Sequence, residues 1–413
     1  MKKRSRKRFP APAALAGVVL AAAAEVFAAR GCGRGPAEET TAASQGIPFV
    51  EPVPTSAASG GSAEFRGRKA GVLYGNAKRG FMEVCLPILK HELEEQGFDP
   101  ELVTFSDAAG DAAAQEEAVR QLLSDGAEVL LVEPVNQYGS AAITDMAAAA
   151  GVPLIYIGRE PWGDERQRWK DGGLDTAYVG CDAEEAGSMI GGLILALGTG
   201  RTDRNGNGRL DYLMIEGDPE DEDALFRTAA SVGALTEAGL AVNCVDDQIA
   251  MWDPENAAVI TRNALAQYGR EIDVILANSD ELALAAADAA SEAGYHNGEE
   301  ILVFGAGGSA EALRAVADGR LAGTVYRDIP AEAKAAAEEA AAALRGEEGP
   351  VRRGGAGTSA AGGGPGDDAG GSGTEGSDGY RFIIPHRPVT AENAAEVSGE
   401  LQAALGEENG KEN

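Results

Sequence analysis

The stretch DRNGNGRLD, residues 203–211, combines residue types and spacing that suit calcium binding. Oxygen-bearing side chains stand at four positions of an EF-hand-like loop: Asp203, Asn205, Asn207 and Asp211. Gly208 allows the sharp turn that such a loop needs. However, the twelfth position, where an EF-hand has a bidentate Glu, is Met214 in the apolar run LDYLMIEG. The stretch therefore predicts part of a calcium site, and the alternative is a solvated Asn-Gly turn before a strand.

Short apolar runs recur along the chain and must form the elements that position such residues. Examples are KAGVLYG, AEVLLVEP, GVPLIYIG, DYLMIEG, EIDVILANSD, ILVFGAG and AGTVYRD, separated by amphipathic stretches such as MEVCLPILKHELEEQG. Runs of this length bounded by Gly, Pro or Asp favour parallel strands buried on both faces. The alternation predicts a doubly wound α/β fold. Because the series runs twice, from about 68 to 180 and from 181 to 326, we expect two similar lobes.

Ligands of open parallel sheets bind at the carboxyl ends of the strands. The candidate binding residues are therefore those that directly follow the apolar runs. They are Asn76 to Phe81, Glu133 to Tyr138, Arg159, Asp218 to Arg227, Asn278 to Asp280, Gly305 to Ser309, Arg327 and Asp328. Gly, Asp and Asn also end strands for turn reasons alone, so only their shared location favours a binding site.

The first 31 residues have the organisation of a secretory signal peptide. A basic segment, MKKRSRKRF, precedes an apolar stretch and small residues. Cys32 then stands where bacterial lipoproteins carry their lipid-modified Cys, with ordinary cleavage nearby as the alternative. Residues 32–67 predict a flexible tether, and the Gly-rich segment 346–379 predicts a disordered insertion. We therefore expect an extracytoplasmic protein, lipid-anchored through Cys32.

Charge and motif content exclude several function classes. The net charge of −31 over 413 residues argues against nucleic acid as a partner. Residues 1–67 leave no room for the helix-turn-helix of a transcription regulator. None of the three histidines lies beside a Ser or Cys at a strand end, so no enzyme is predicted. The acidic cluster EGDPEDEDA leaves a carbohydrate-active hydrolase as a less favoured alternative. Cys85, Cys181 and Cys244 form no zinc motif and are expected to be buried.

Four stretches carry a family resemblance: DRNGNGRLDYLMIEGDPEDEDALFRT, AMWDPENA, IDVILANSDELAL and GRLAGTVYRD. In their order and spacing the chain, from about 68 to 345 and from 380 to 400, resembles the galactose/glucose-binding proteins of bacterial ABC sugar importers. The resemblance implies two Rossmann-like lobes joined by three hinge strands. It assigns 68–180 plus 327–345 to the N-terminal lobe and 181–326 plus 380–400 to the C-terminal lobe. Crossings are expected near 178–182, 325–328 and 380–386.

The resemblance also implies how the calcium site is completed. In that family a carboxylate from a distant strand supplies the bidentate ligand, and Asp273 stands at this position, which is normally Glu. The backbone carbonyl of Arg209 would add another ligand. Because Asp is one methylene shorter than Glu, Glu271 is an alternative. The implied site is structural, with no open position for chemistry.

For the sugar, the resemblance implies stacking between two aromatic rings, Phe81 and Trp252. Asp223 and Arg227 match the family's polar residues. Six further positions depart from the family: Arg79 for Asp, Glu133 for Asn, Asp221 for His, Ser279 for Asn, Gly307 for Asp and Arg327 for Asn. Two interpretations stay open. Arg79 and Arg327 contact an anionic or more highly hydroxylated ligand, or they pair with Glu133 and Asp221 and leave a neutral sugar site.

The function expected from the resemblance is capture of a galactose- or glucose-type monosaccharide by hinge closure. The expected partners are the sugar and an ABC permease in the membrane, with a chemoreceptor as a further candidate, and the protein is expected to be a monomer. The alternative is a surface receptor for a non-hexose or anionic ligand without a transport role. Both functions depend on the same closure of two lobes and differ in what docks on the closed form.

Overall fold

The computed structural model describes residues 64–76, 80–349, 351 and 379–406. All of these residues lie within one compact unit, Ala58–Asn413. The expected signal peptide, Cys32, Arg79 and most of the segments 32–67 and 346–379 lie outside the described residues. Across the described part of the chain, every helix is too short or too polar to span a bilayer.

The first lobe is built on a six-stranded parallel sheet. Its strands are β1 Ala70–Tyr74, β2 Val103–Asp107, β3 Val129–Val132, β4 Leu154–Ile157, β5 Thr176–Gly180 and β11 Arg381–Ile383, in the order β11-β5-β4-β3-β1-β2. The runs VLLV and LIYI are buried throughout because helices cover both faces of the sheet. These helices are α1 Gly80–Glu95, α2 Ala112–Ser124, α3 Ser140–Ala150, α4 Gly163–Gly172 and α11 Ile329–Arg345.

The second lobe repeats this plan with a smaller sheet. Four parallel strands, β6 Leu210–Glu216, β7 Val242–Ile249, β8 Val274–Ala277 and β9 Leu302–Phe304, lie in the order β7-β6-β8-β9. Beside them, β10 Thr324–Tyr326 pairs antiparallel with β12 Arg387–Val389. The helices are α5 Ala183–Leu197, α6 Thr199–Thr202, α7 Glu222–Glu237, α8 Pro254–Tyr268, α9 Asp280–Glu292, α10 Ala310–Ala317 and α12 Ala394–Gly406. The predicted two-lobed α/β fold is confirmed.

The chain passes between the lobes at three places. It leaves β5 for α5 at residues 181–182, leaves β10 for α11 at 327–328, and connects β11 to β12 at 384–386. One assignment was wrong. Residues 380–400 were expected wholly in the second lobe, but Arg381–Ile383 pairs in parallel with β5 and extends the first sheet.

The cysteines also differ from the sequence prediction at one position. Cys85 and Cys181 are buried, as expected, whereas Cys244 is exposed. Cys244 lies on β7, which forms an edge of the second sheet, so that one side of the strand faces solvent. The expectation of burial was therefore wrong for Cys244.

Candidate functional site

A cavity of about 420 Å³ lies between the two lobes, at the carboxyl ends of the strands. All ligand-binding residues that the family resemblance implies, and that the structure describes, line this cavity. They are Phe81, Glu133, Asp221, Asp223, Arg227, Trp252, Ser279, Gly307 and Arg327. Residues that are distant in sequence thus meet because parallel strands end at the same edge of each sheet, and the two edges face one another.

Phe81 enters the cavity from the first turn of α1. Its ring packs against Gly158, which follows β4, so closely that a Cβ atom at position 158 would lie 2.5 Å from Cε1 of the ring. The guanidinium of Arg327 covers the ring at 4.0 Å from its centroid. Such cation–π contact fixes the ring and keeps an apolar surface beside a charged group.

Trp252 enters from the second lobe, between β7 and α8. Its backbone has φ 59° and that of Met251 has φ 55°, a left-handed conformation that is uncommon for residues with a side chain. The indole packs on Gly217, which directly follows β6. Each lobe therefore contributes one aromatic ring, and each ring is packed against a glycine at the end of a strand.

Asp223 and Arg227, which match the family's polar residues, form an ion pair. They lie one turn apart on α7, and Nη2 of Arg227 is 3.1 Å from Oδ2 of Asp223. Nη1 of Arg227 also donates to the carbonyl of Asn278 at 3.1 Å. Burial raises the pKa of Asp223, and the neighbouring Arg227 opposes this shift. The pair holds a fixed carboxylate at the cavity wall.

Arg327 does not have the carboxylate partner that the pairing interpretation predicted. Its Nε and Nη2 donate to the two carboxylate oxygens of Glu332 at 2.6 and 2.7 Å, and Nη2 also donates to the carbonyl of Gly158 at 2.9 Å. The expected pairing with Glu133 or Asp221 is therefore not the one that the structure has. Glu332 lies in the first turn of α11 and satisfies the guanidinium in a bidentate geometry.

Arg159 lines the cavity, as its place after an apolar run predicts, although the family resemblance assigned it no role. Its Nη2 lies 3.0 Å from Oδ2 of Asp221, and its Nη1 donates to the carbonyls of Pro134 and Val135. Asp221 caps the N-terminus of α7 in the second lobe, so this ion pair joins the lobes across the cavity. The sequence indicates Arg159 as a cavity residue only by its position directly after the apolar run PLIYIG.

The remaining polar residues serve partly as structural caps. Ser279 Oγ accepts from the backbone N–H of Leu282 and caps α9, and Gly307 has φ 136°. Next to them, the carboxylate of Asp280 accepts from Thr324 Oγ1 at 2.5 Å and from the N–H of Ser309 at 2.7 Å. Burial raises the pKa of Asp280 to about 6. On the opposite wall, Glu133 accepts from the N–H of Gly75 at 2.5 Å.

The loop at residues 203–211 lies apart from the cavity and is tied to β8 through Asp273. One oxygen of Asp273 accepts from the N–H groups of Arg204 at 2.8 Å and Asn205 at 3.2 Å, and the other accepts from the N–H of Asp211 at 2.9 Å. Glu271 is exposed and offers its backbone carbonyl to Asn205 Nδ2 at 3.2 Å. Asp273, not Glu271, is thus the carboxylate that reaches the loop.

The side-chain oxygens of this loop can surround a calcium ion only after two side-chain amides rotate. The carboxylate of Asp211 accepts from the side-chain amides of Asn205 and Asn207 at 3.1 and 2.5 Å and from Nε of Arg209 at 2.9 Å. Rotating the two amides would turn their oxygens inward. Within residues 64–76, 80–349, 351 and 379–406 no group of three His, Cys, Asp or Glu side chains is placed to hold a metal. Calcium therefore stays a prediction.

Comparison with known proteins agrees with the fold. A family model described as a periplasmic binding protein domain matches residues 70–348. A D-galactose/methyl-galactoside binding periplasmic protein of Haemophilus influenzae is 26% identical over 234 residues, 56% of this chain and 68% of that protein. A ribose import binding protein of Bacillus subtilis is 28% identical over 244 residues, 59% and 72%. An ABC transporter solute binding protein from Bacillus halodurans, solved with bound myo-inositol, matches with TM-score 0.63 and 23% identity over 81% of this chain and 98% of that one.

Proposed function

The chain belongs to the periplasmic binding protein family, and from this we propose that it captures a sugar outside the cytoplasm for an ABC importer. The observation that carries the proposal is the pair of aromatic rings, Phe81 from the first lobe and Trp252 from the second, lining one cavity with ionic groups between them. Apolar C–H faces of a sugar stack on aromatic rings, while charged side chains bind its hydroxyls. The named relatives bind galactosides and ribose, which supports a sugar ligand.

We infer that the ligand is a neutral polyhydroxylated molecule. Each arginine of the described cavity wall already has an acidic partner: Arg159 with Asp221, Arg227 with Asp223, and Arg327 with Glu332. An anionic ligand would add negative charge to a cavity wall whose arginines are already neutralised by carboxylates. A neutral ring can instead accept hydrogen bonds from the arginines and donate to the carboxylates without breaking a pair.

The proposed mechanism is closure of the two lobes on the ligand. The Arg159–Asp221 pair spans the cavity and forms only when the lobes approach each other. A sugar that contacts both lobes binds the closed form more tightly and shifts the population toward it. The permease would distinguish the closed from the open arrangement. No covalent bond is made or broken in this proposed cycle.

A thermal-shift screen tests this proposal. Galactose, glucose, ribose, xylose, myo-inositol, galacturonate and glucose 6-phosphate would be added to the purified protein, with glycerol as a control. We expect a rise in Tm with one of the neutral compounds, because a ligand that binds only the native state stabilises it. A rise with galacturonate or glucose 6-phosphate alone would refute the neutral class, and no rise with any compound would refute sugar capture.

Two further parts of the proposal lie outside the cavity. Calcium binding at residues 203–211 is supported by the residue pattern and by the contact of Asp273 with the loop. EDTA is therefore expected to lower Tm. An unchanged Tm would mean that Asp273 holds the loop without calcium.

Anchoring through Cys32 concerns a residue outside the described part of the chain. It is tested by Cys32→Ser, which should release the protein from the cell envelope.

A further inference from the structure

Trp252 is held in a backbone conformation that a side-chain-bearing residue adopts at a cost. Both Met251 and Trp252 have positive φ, 55° and 59°. Bulky residues avoid this region because Cβ approaches the following carbonyl oxygen. Such strain persists only where the surroundings over-determine it, and it concentrates at ligand-contacting positions. The groups that hold Trp252 lie in the turn itself and beneath the indole ring.

The turn itself is anchored at both ends. Before the turn, the N–H of Ala250 donates to the carbonyl of Glu216, the last residue of β6, at 2.8 Å. After it, the N–H of Asp253 donates back to the carbonyl of Ala250 at 2.9 Å, and the Asp253 carboxylate caps α8 through the N–H of Glu255 at 2.8 Å. The backbone of Trp252 is thus fixed between a strand and a helix.

Within this anchored turn, packing sets the position of the indole ring. Its only polar atom, Nε1, is buried and has no hydrogen-bond partner among the described residues. The ring instead lies on Gly217, where a Cβ atom would be 2.3 Å from Cζ2 and 2.4 Å from Cε2 and Cη2. Contacts this short do not occur, so any side chain at position 217 must displace the ring.

Gly217 cannot move aside to accommodate a larger residue. Its N–H donates to Oδ1 of Asn278 at 2.9 Å, which ties the end of β6 to the end of β8. Asn278 is itself buried, and its carbonyl accepts from Nη1 of Arg227 in the cavity wall. The contact surface under the indole is therefore continuous with the polar side of the cavity.

We propose that Gly217 is a positioning residue: its lack of a side chain, together with the anchored left-handed turn, sets the orientation of Trp252 for ligand stacking. Gly158 plays the matching part under Phe81, where a Cβ atom would lie 2.5 Å from the ring. The stacking role rests on the proposed function, whereas the control of ring position by Gly217 does not.

The position of the ring is tested without a ligand. Protein labelled with 5-fluorotryptophan gives fluorine signals from its three tryptophans, and the Trp252 signal is assigned by its loss in Trp252→Phe. We expect Gly217→Ala to shift the Trp252 signal and leave those of Trp162 and Trp169 in place. The matched control is Gly192→Ala, on an exposed face of α5 with nothing within 4 Å, and should shift none. An unchanged Trp252 signal in Gly217→Ala would overturn the proposal.

A double-mutant cycle tests whether the effect on binding passes through Trp252, with D-galactose as the probe in calorimetry. Gly217→Ala is expected to weaken affinity on the order of tenfold in the wild-type background and not at all in the Trp252→Ala background. An equal loss in both backgrounds, or no loss in either, would overturn the positioning role. If Trp252→Ala itself binds as tightly as wild type, the proposed stacking is refuted. If the wild-type protein does not bind D-galactose, galactose is not the ligand, and the fluorine spectrum alone decides the role of Gly217.

Discussion

The interlobe cavity and the loop at residues 203–211 contain the same types of residue, acids and amides, but these side chains have different partners in the two regions. In the cavity, carboxylates pair with arginine side chains, and the Asp221–Arg159 pair joins the two lobes. In the loop, Asp273 accepts three backbone N–H groups, two of them from neighbouring residues. Side-chain pairs can exchange partners when a ligand arrives or the lobes open, whereas backbone N–H groups cannot. The cavity is thus suited to binding and the loop to stability.

Loss of the stacking ring should give the largest effect on the cavity side of this comparison. We expect Trp252→Ala to weaken sugar binding by roughly a hundredfold, since buried aromatic contacts contribute about 2–4 kcal/mol at interface centres. Tm should change little because the indole packs on the surface of the second-lobe core. Calorimetry with the sugar identified by thermal shift measures the affinity. Phe226→Ala, an exposed aromatic on α7 that does not line the cavity, is the matched control and should bind normally.

The ion pair between the lobes should have the next largest effect. Arg159→Met removes the cation and leaves the buried Asp221 without that partner, which destabilises the closed form. Because the pair exists only when the lobes are in contact, we expect the closed form to lose population and affinity to fall roughly ten- to a hundredfold. Small-angle scattering should show a larger radius of gyration. Arg120→Met, which removes an exposed pair within the first lobe, should change neither quantity.

A buried acid beside this pair predicts a pH dependence. Glu222, in the first turn of α7, is buried, and burial raises its pKa from 4.5 to about 8, with Arg166 opposing the shift and Glu160, Asp223 and Asp221 adding to it. Since the folded state holds the proton more tightly, this group's contribution to stability is complete below pH 4.5 and is lost as pH rises to about 8.

Glu222→Gln keeps a neutral side chain at all pH values. The Tm of this variant should therefore rise relative to wild type between pH 4.5 and 8, and the difference should become constant above pH 8. A thermal melt at each pH measures it. Glu237→Gln, on the exposed end of the same helix, controls for general changes in charge. A Tm difference that does not vary with pH would contradict the prediction.

The sequence was sufficient for the parts of this molecule that depend on local pattern. Short apolar runs predicted the buried strands, and Asp223 and Arg227 were identified because they match the family's polar residues. Pairs formed across the fold could not be predicted. Nothing in the chain indicates that Arg159 meets Asp221, because this contact depends on how the lobes are arranged. Arg327 and Glu332 are only five residues apart, but their pairing depends on how the chain turns into α11. Gly217 gave no signal at all, since its importance is the space it leaves for Trp252.

The loop should give the smallest effect on binding and a clear effect on stability. Asp273→Asn keeps the shape of the side chain but replaces one carboxylate oxygen with an NH2 group that cannot accept the N–H groups of the loop. We expect the free energy of unfolding to fall by about 1–3 kcal/mol, the cost of leaving buried donors without an acceptor. Sugar affinity should remain that of wild type, because the loop does not line the cavity. Chemical denaturation and calorimetry measure the two quantities.

The matched control for this variant is Asp318→Asn, at the exposed C-terminal end of α10, which should leave both quantities unchanged. Repeating the Asp273→Asn denaturation with EDTA separates the two ways in which the loop is held. If calcium contributes, EDTA destabilises wild type more than the variant, because the variant has lost a ligand of the ion as well as the acceptor. A loss of sugar affinity in Asp273→Asn as large as that in Arg159→Met would contradict the division into a binding region and a stabilising region. Such a result would mean that the loop acts on the cavity through β8.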